Sequence, residues 1–378
     1  MVEDQRRTEP YVRALERAIG PDSVFVDIGT GTGFFAFLAC KLGARRVYAI
    51  EPDHAIEIAK LCAIDNIGHD RITWLRDLST RLELPEQADV IMGDMHGILP
   101  FHGSNLASMI DARRRFLKPG GIMLPGRDVL FAVPANAPAE YREVDSPWQH
   151  NRHGIDMRRG RSFVANYWWR APEAAVPPDR LLAEPAPWAV IDYARLESTD
   201  AGGEARWVID KPGEIHGYYV WFNSEFGHDL PIDNSPLLPA TAYGRAFFPL
   251  AEILSLESGD VLSLRFDAKS TEDDPLIRWD THVRAANGEE KARFRQSTFN
   301  AQPFDREAMQ RMSSHHVPEL NVAGQADLFI LDAMRRSLSL SQIAEDLARA
   351  FPQRYANAES ALARVARLSA AYSNNVPE

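Results

Sequence analysis

Val24-Phe25-Val26-Asp27-Ile28-Gly29-Thr30-Gly31-Thr32-Gly33 carries an apolar strand into an acid, three alternating glycines and an apolar helix that begins at Phe34. Downstream, Val47-Tyr48-Ala49-Ile50 reads as a second strand that ends on Glu51. Glycines directly after a strand let the backbone approach a nucleotide-sized ligand closely. An acid at the end of the next strand is placed to take both hydroxyls of a ribose. The stretch therefore predicts an α/β fold with a nucleoside-bearing ligand at the carboxyl ends of its strands.

Spacing narrows the ligand. A dinucleotide fingerprint is G-x-G-x-x-G, and Phe34 stands where its last glycine would fall. An oxidoreductase with a dinucleotide is thereby disfavoured. Asp27 sits two residues before Gly29, where a pyrophosphate would gain nothing from a carboxylate but a cationic amino acid tail would. S-adenosylmethionine (SAM) joins a sulfonium and an α-ammonium to an adenosine, so Asp27, Gly29, Gly31, Gly33 and Glu51 suit it. Asp77, at the end of a third strand, is a further candidate on the cofactor side.

The chain has 378 residues, 45% hydrophobic and 25% charged, which predicts two or three domains of ordinary globular composition. It contains no apolar run of about 18 residues, so no membrane span is expected. Met1 to Glu9 is polar and does not read as a signal peptide. Two cysteines, Cys40 and Cys62, form neither a disulfide framework nor a zinc spacing, and a reduced cytoplasmic protein is the simplest expectation. A net charge of −11 argues against nucleic acid as the main partner. Arg113-Arg114-Arg115 and Arg158-Arg159 with Arg161 read as solvated faces or loops, and His315-His316 as surface rather than metal ligands.

From about Tyr11 to Met123 strands (24–28, 47–51, 72–75, 89–93, 122–124) alternate with helices (34–42, 53–66, 104–117), the last closed by Lys118-Pro119-Gly120-Gly121. This alternation predicts a doubly wound Rossmann-like domain over 1–125 with a mostly parallel sheet. Residues 126–303 carry short β runs at 128–133, 189–196, 207–209, 217–222, 246–249, 261–267 and 279–284, which predict a β barrel or sandwich. A Pro-, Trp- and Arg-rich excursion interrupts them at about 148–188. Residues 304–378 turn helical again, with apolar stripes Ile330/Leu331/Met334/Leu338, Leu340/Ile343/Leu347/Phe351 and Leu362/Val365/Leu368/Tyr372. Ser339 and Gln342 stand as a capping box for the middle helix, and the segment predicts a small bundle or winged-helix-like module.

Over roughly residues 1–300 the chain resembles the protein arginine methyltransferases. The likeness rests on Met1-Val2-Glu3-Asp4, Arg7-Thr8 and Tyr11 before the first strand, on 26–33, and on Gly43-Ala44-Arg45-Arg46-Val47-Tyr48-Ala49-Ile50-Glu51. It continues through Ala88-Asp89-Val90-Ile91-Met92-Gly93-Asp94-Met95-His96-Gly97, Arg152-His153-Gly154-Ile155-Asp156-Met157, Tyr218–Asn223, Phe248-Pro249-Leu250 and Ser258–Leu262. The resemblance implies SAM as methyl donor, Arg7 as the partner of its carboxylate, a dimerisation arm in the 148–188 excursion, and a homodimer.

Two departures stand out. The family holds a substrate guanidinium between two glutamates; here the first position is Asp94 and the second is Gly103. Its Thr-His-Trp loop is Thr241-Ala242-Tyr243, without the histidine. The methyl-donor half is kept and the arginine-recognition half is altered. Residues 315–372 also resemble PqqD-like modules, which bind the leader part of a ribosomal precursor peptide.

The expected chemistry is an in-line displacement in which positioning supplies much of the rate. Asp94 is the carboxylate expected to orient the acceptor or take its proton. His96, and after it His102, could serve as a base near neutral pH, and Tyr243 could touch the acceptor. The expected function is N-methylation of a peptide or protein side chain or of an amine-bearing metabolite. Small-molecule O-methylation and a non-catalytic SAM-binding scaffold are the competing readings.

Overall fold

The computed structural model describes residues 3–66, 68–150, 152–227, 229–271, 274–303 and 305–373. Met1 and Val2 of the amino-terminal motif, Phe304 at the expected domain boundary and residues 374–378 of the helical segment lie outside the described residues. The chain divides into two compact units, Met1–Pro303 and Phe304–Glu378.

The first unit opens with helix α1 (Gln5–Ala18), whose start is capped by the Asp4 side chain. Then follow β1 (Val24–Ile28), α2 (Phe34–Lys41), β2 (Arg46–Ile50), α3 (Ala55–Ala63), β3 (Ile72–Leu75), β4 (Ala88–Gly93), α4 (Asn105–Phe116) and β5 (Leu117–Leu124). The five strands form one parallel sheet in the order β3-β2-β1-β4-β5. All five residues of β1 are buried, as expected of a strand covered on both faces. The order reverses between β1 and β4, so the ligand-binding crevice of such a sheet falls at their carboxyl ends. Lys118-Pro119-Gly120-Gly121 departs from expectation: it lies inside β5 rather than in a separate turn. The pairing of β4 with β5 shifts register there, and Gly120 has φ +79°, so the glycine bends the strand instead of ending it.

The chain continues as β6 (Arg127–Ala135), α5 (Pro138–Gln149), α6 (Arg161–Ala165), β7 (Trp169–Arg170), β8 (Ala186–Asp192), β9 (Asp200–Val208) and β10 (Gly213–Glu225). It ends the unit with β11 (Pro231–Ile232), β12 (Ala246–Leu256), β13 (Val261–Lys269), β14 (Leu276–Arg284) and β15 (Glu290–Ser297). Two antiparallel sheets result, β7-β12-β10-β6-β8 with β11 beside β10, and β15-β14-β13-β9. The 148–188 excursion thus gives β7 to the larger sheet. One buried cluster runs from Val24 and Phe25 of the parallel sheet to Phe248, Phe266 and Trp279 of the antiparallel ones. Each such side chain contributes about 1.5–3 kcal/mol on burial, enough to fix the two parts against each other.

Arg158 and Arg159 are exposed, as is Arg114, but Arg113 and Arg115 are less solvated than their charge predicts. Arg113 donates to the Ala194 and Leu196 carbonyls, and Arg115 to those of Ser79 and Leu82, so α4 is clamped by them.

In the second unit, α7 (Arg306–Arg311) precedes α8 (Val322–Met334), α9 (Leu340–Ala350) and α10 (Ala358–Tyr372). The last three pack around Ala326, Ile330, Ile343, Leu347, Val365 and Leu368. The Ser339–Gln342 capping box is formed, and Asn357 with Ser360 makes another on α10. Leu340, Leu362 and Tyr372, placed on the apolar stripes by spacing, are exposed; the small residues Ala326, Ala333 and Ala361 take the core positions and let the helices approach. Among the described residues this unit has no strand.

Candidate active site

The glycine loop is tied to the end of β2, with the Gly29 and Thr30 amides donating to the Ile50 carbonyl at 2.9 and 3.1 Å. Gly29, Gly31 and Gly33 all have positive φ, at +73°, +54° and +84°, a region that costs residues with a Cβ. A Cβ on Gly29 would strike the Met95 side chain, and one on Gly33 would press on Phe37 and Ala59. A Cβ on Gly31 would meet nothing within 4 Å. The first and third glycines therefore serve packing, and Gly31 leaves an open cradle.

Glu51 follows β2 and reaches back to that cradle: its carboxylate accepts from the Gly31 amide at 3.0 Å and from the Asp53 amide at 3.0 Å. Asp27 is buried in β1 and accepts from the Thr30 hydroxyl at 2.6 Å. Burial pushes its carboxyl up to about 7, with Glu51 adding to the rise and the Thr30 and Ala36 hydrogen bonds opposing it. Asp27, Gly31 and Glu51 could thus hold an adenosine with a cationic tail. Asp77 accepts from the Leu78 amide at 2.7 Å and lies 3.7 Å from Arg81; it is not drawn into this group by any described contact.

Ile28 of β1 is in register with Gly93 of β4, so Asp94 emerges beside the glycine loop. Its carboxylate is buried and pairs with the Arg7 guanidinium of α1. The Tyr243 hydroxyl donates to Asp94 Oδ1 at 2.6 Å, and the Tyr11 hydroxyl lies 3.5 Å away. Asp94 and His96 after β4, Arg7 of α1 and Tyr243 before β12 are therefore brought together from three separate segments. Arg7, expected by resemblance on the SAM carboxylate, is held on Asp94 by one nitrogen of its guanidinium. His102 is exposed, and nothing lies within 4 Å of where a side chain on Gly103 would begin.

His96 stacks on Phe222 with ring centroids 4.8 Å apart. Its Nε2 lies 2.8 Å from Asp128 Oδ2 and 3.2 Å from the Tyr193 hydroxyl. Asp128 is fully buried and accepts from Tyr193 at 2.6 Å and Ser224 at 2.6 Å. Sequence reading missed Asp128, Tyr193 and Ser224. A signal existed for the first: Asp128 shares the inward face of β6 with Leu130 and Ala132, and a buried acid needs partners. Burial holds the Tyr193 and Tyr243 phenols well above the ordinary tyrosine value, so both remain donors.

His315 and His316 are exposed, and no group of three or more metal-ligating side chains occurs among the described residues. No helix among them is long and apolar enough to cross a membrane. A cleft of about 530 Å³ lies over the four-stranded sheet, lined by Arg206, Arg265, Asp280, His282 and Arg293. Its charges are partly neutralised by pairs such as Arg265–Asp267 and Arg278–Asp280, and it lacks the convergent buried groups found around Asp94.

A parallel sheet with a glycine loop after β1, an acid after β2 and a buried acid after β4 defines a Rossmann-like nucleoside-binding domain. Residues 6–125 match the family model described as ribosomal protein L11 methyltransferase. The chain is 30% identical over 234 residues to the Arabidopsis thaliana protein named "Probable protein arginine N-methyltransferase 6", covering 60% of this chain and 53% of that one. It is 28% identical over 269 residues to protein arginine N-methyltransferase 8-B of Danio rerio, covering 69% and 63%. The chain thus spans less than two thirds of the length of both relatives. Among solved structures, the Trypanosoma brucei PRMT1 enzyme–prozyme heterotetrameric complex with AdoHcy superposes with TM-score 0.71 at 21% identity, covering 79% of this chain and 95% of that one. Arabidopsis thaliana protein arginine methyltransferase 10 gives TM-score 0.67 at 20% identity, covering 79% and 95%. The chain is arginine-methyltransferase-like in sequence and in fold.

Proposed function

We propose that this chain is a SAM-dependent methyltransferase that N-methylates a peptide or protein side chain or an amine-bearing metabolite. The observation that carries the reading is the register of Ile28 with Gly93, which sets the Asp94 carboxylate next to the glycine loop. SAM supplies an electrophilic methyl group on sulfur. Glu51 would take the ribose hydroxyls, the Gly31 cradle would admit the nucleoside, and Asp27 would face the ammonium. Asp94 would orient the acceptor and Tyr243 would hold Asp94 in place.

Arginine is not the acceptor this site favours. A guanidinium is best held by two carboxylates through its forked donors. Here Arg7 already occupies one oxygen of Asp94, and Gly103 offers no second carboxylate. A homodimer is supported by exposed Met157, Phe163 and Trp169 in the arm-like excursion and exposed Ile58, Leu61 and Ile64 on and just after α3, and light scattering of the purified chain tests it. A peptide acceptor would give the second unit a leader-binding role of the PqqD-like kind, supported by its separate core and capped helices.

The test is incubation with methyl-labelled SAM in lysate of the host, followed by separation by size. Label in peptides or proteins supports the reading. Label in small molecules alone moves the acceptor to a metabolite, and SAM binding without any label favours the scaffold.

A further inference from the structure

Three phenols, two carboxylates, one guanidinium and one imidazole meet at the end of β4, and the imidazole carries a buried nitrogen with no hydrogen-bond partner. His96 faces Asp94 on its own segment, Asp128 from β6, Phe222 from β10, Tyr193 after β8 and Tyr243 before β12, while Arg7 and Tyr11 from α1 lie on Asp94 and Ser224 from β10 on Asp128. The Tyr193 hydroxyl donates to Asp128 Oδ2, and the Ser224 hydroxyl donates to Oδ1. A carboxylate only accepts, so the third contact, from His96 Nε2 at 2.8 Å, requires the imidazole proton on Nε2. The other nitrogen, Nδ1, is buried, has no hydrogen-bond partner and lies 3.9 Å from Asp94 Oδ1. Its lone pair is thus left unused beside the carboxylate that the methyl-transfer reading gives to the acceptor. The same histidine lines a small cavity with Gly93, Met95, Pro100 and Asn105.

The surroundings also select the acceptor. Asp94 Oδ2 accepts from Arg7, and Oδ1 from Tyr243 at 2.6 Å with the Tyr11 hydroxyl at 3.5 Å. With a guanidinium on one oxygen and two phenols on the other, Asp94 cannot offer both oxygens to a second forked donor and has acceptor capacity left for one N–H. That suits a monodentate alkylammonium and not a forked guanidinium. An ammonium must shed a proton before its nitrogen can attack, and the phenols are held protonated by burial.

We propose that His96 Nδ1 removes the proton of an alkylammonium acceptor docked on Asp94, and that Asp128, Tyr193 and Ser224 are positioning residues that fix the Nε2–H tautomer. The proposal rests on the methyl-transfer reading. In the proton step the N–H bond breaks, its electron pair stays on nitrogen, and the proton forms the Nδ1–H bond of an imidazolium flanked by Asp94 and Asp128. The freed pair then makes the N–CH₃ bond as the S–CH₃ bond breaks, its electrons remaining on sulfur. Orientation of a base by a buried acid behind it follows the same logic as in other acid–histidine pairs.

His96→Gln tests this, because glutamine can keep a donor on Asp128 while losing the Nδ1 lone pair. The full chain, wild type and variant, is assayed with methyl-labelled SAM in host lysate from about pH 6.5 to about pH 9.5, alongside calorimetric SAM binding. The expected variant binds SAM like the wild type, loses about a hundredfold of transfer near neutral pH, and regains about tenfold per pH unit as free amine accumulates. A ¹⁵N-histidine spectrum should show His96 with its proton on Nε2, and Asp128→Asn or the milder Ser224→Ala should weaken that preference. A His96→Gln profile matching the wild type, or a proton on Nδ1, overturns the proposal. A wild type that neither binds SAM nor transfers label overturns the methyl-transfer reading instead, and the tautomer is still read independently.

Discussion

The guanidinium of Arg7 and the carboxylate of Asp94, 87 residues apart in sequence, form a buried ion pair at the carboxyl end of the parallel sheet. The chain's own arginine thereby occupies the carboxylate that stands at the first glutamate position of the arginine-methyltransferase pattern.

Breaking that pair leaves an uncompensated buried charge, which typically costs about 3–5 kcal/mol. Arg7→Met is expected to lower unfolding stability by that order, and Arg7→Met with Asp94→Asn to recover part of it. Urea unfolding of the two variants measures both; equal stabilities would contradict the coupling.

Glu51 holds the Gly31 amide and faces the cradle over that glycine. Glu51→Ala is expected to raise the SAM dissociation constant about tenfold to a hundredfold, the size of one or two lost charged hydrogen bonds. Calorimetry reads the shift directly.

Asp27 carries a pH signature. Burial, then the charge of Glu51, lifts its folded value to about 7 from 3.8. A raised acid binds its proton more tightly in the folded chain, so its contribution to stability is complete below about pH 4. It is lost as pH rises through about 7, by up to about 4 kcal/mol. Asp27→Asn should flatten this slope in denaturation curves taken from about pH 4 to about pH 8. SAM affinity should rise over the same interval, because its ammonium favours the ionised carboxylate.

Ser339 caps α9 through a box with Gln342. Ser339→Ala is expected to cost the second unit about 1 kcal/mol. Hydrogen exchange should show faster opening of α9 amides with those of β1 and β4 unchanged.

The nucleotide-binding half was legible because its signals are local. Apolar β1, the glycines at positive φ and an acid after β2 each follow from backbone requirements within a short stretch, and the parallel sheet follows from alternation. Residues that matter through distant pairing were less visible. Asp128, Tyr193 and Ser224 come from three stretches of sequence and meet only through the pairing of β6 with β10 and β8, which sets Asp128 opposite Ser224 and beside the end of β8. Arg7 was placed by resemblance on a cofactor carboxylate, and nothing near it in sequence announces Asp94 as its partner. The β5 register shift escaped because Pro119-Gly120-Gly121 has the composition of a turn, while pairing with β4 draws it into the sheet. The stripes of α8 to α10 were right in period but not in detail, since Ala326, Ala333 and Ala361 rather than the larger Leu340 and Leu362 fill the centre.

The most direct test of the account is methyl incorporation by Asp94→Ala beside the wild type, with SAM binding by both confirmed in the same preparation. The account predicts labelled product from the wild type and none above background from Asp94→Ala, with SAM bound by both chains. Full turnover by Asp94→Ala would contradict it.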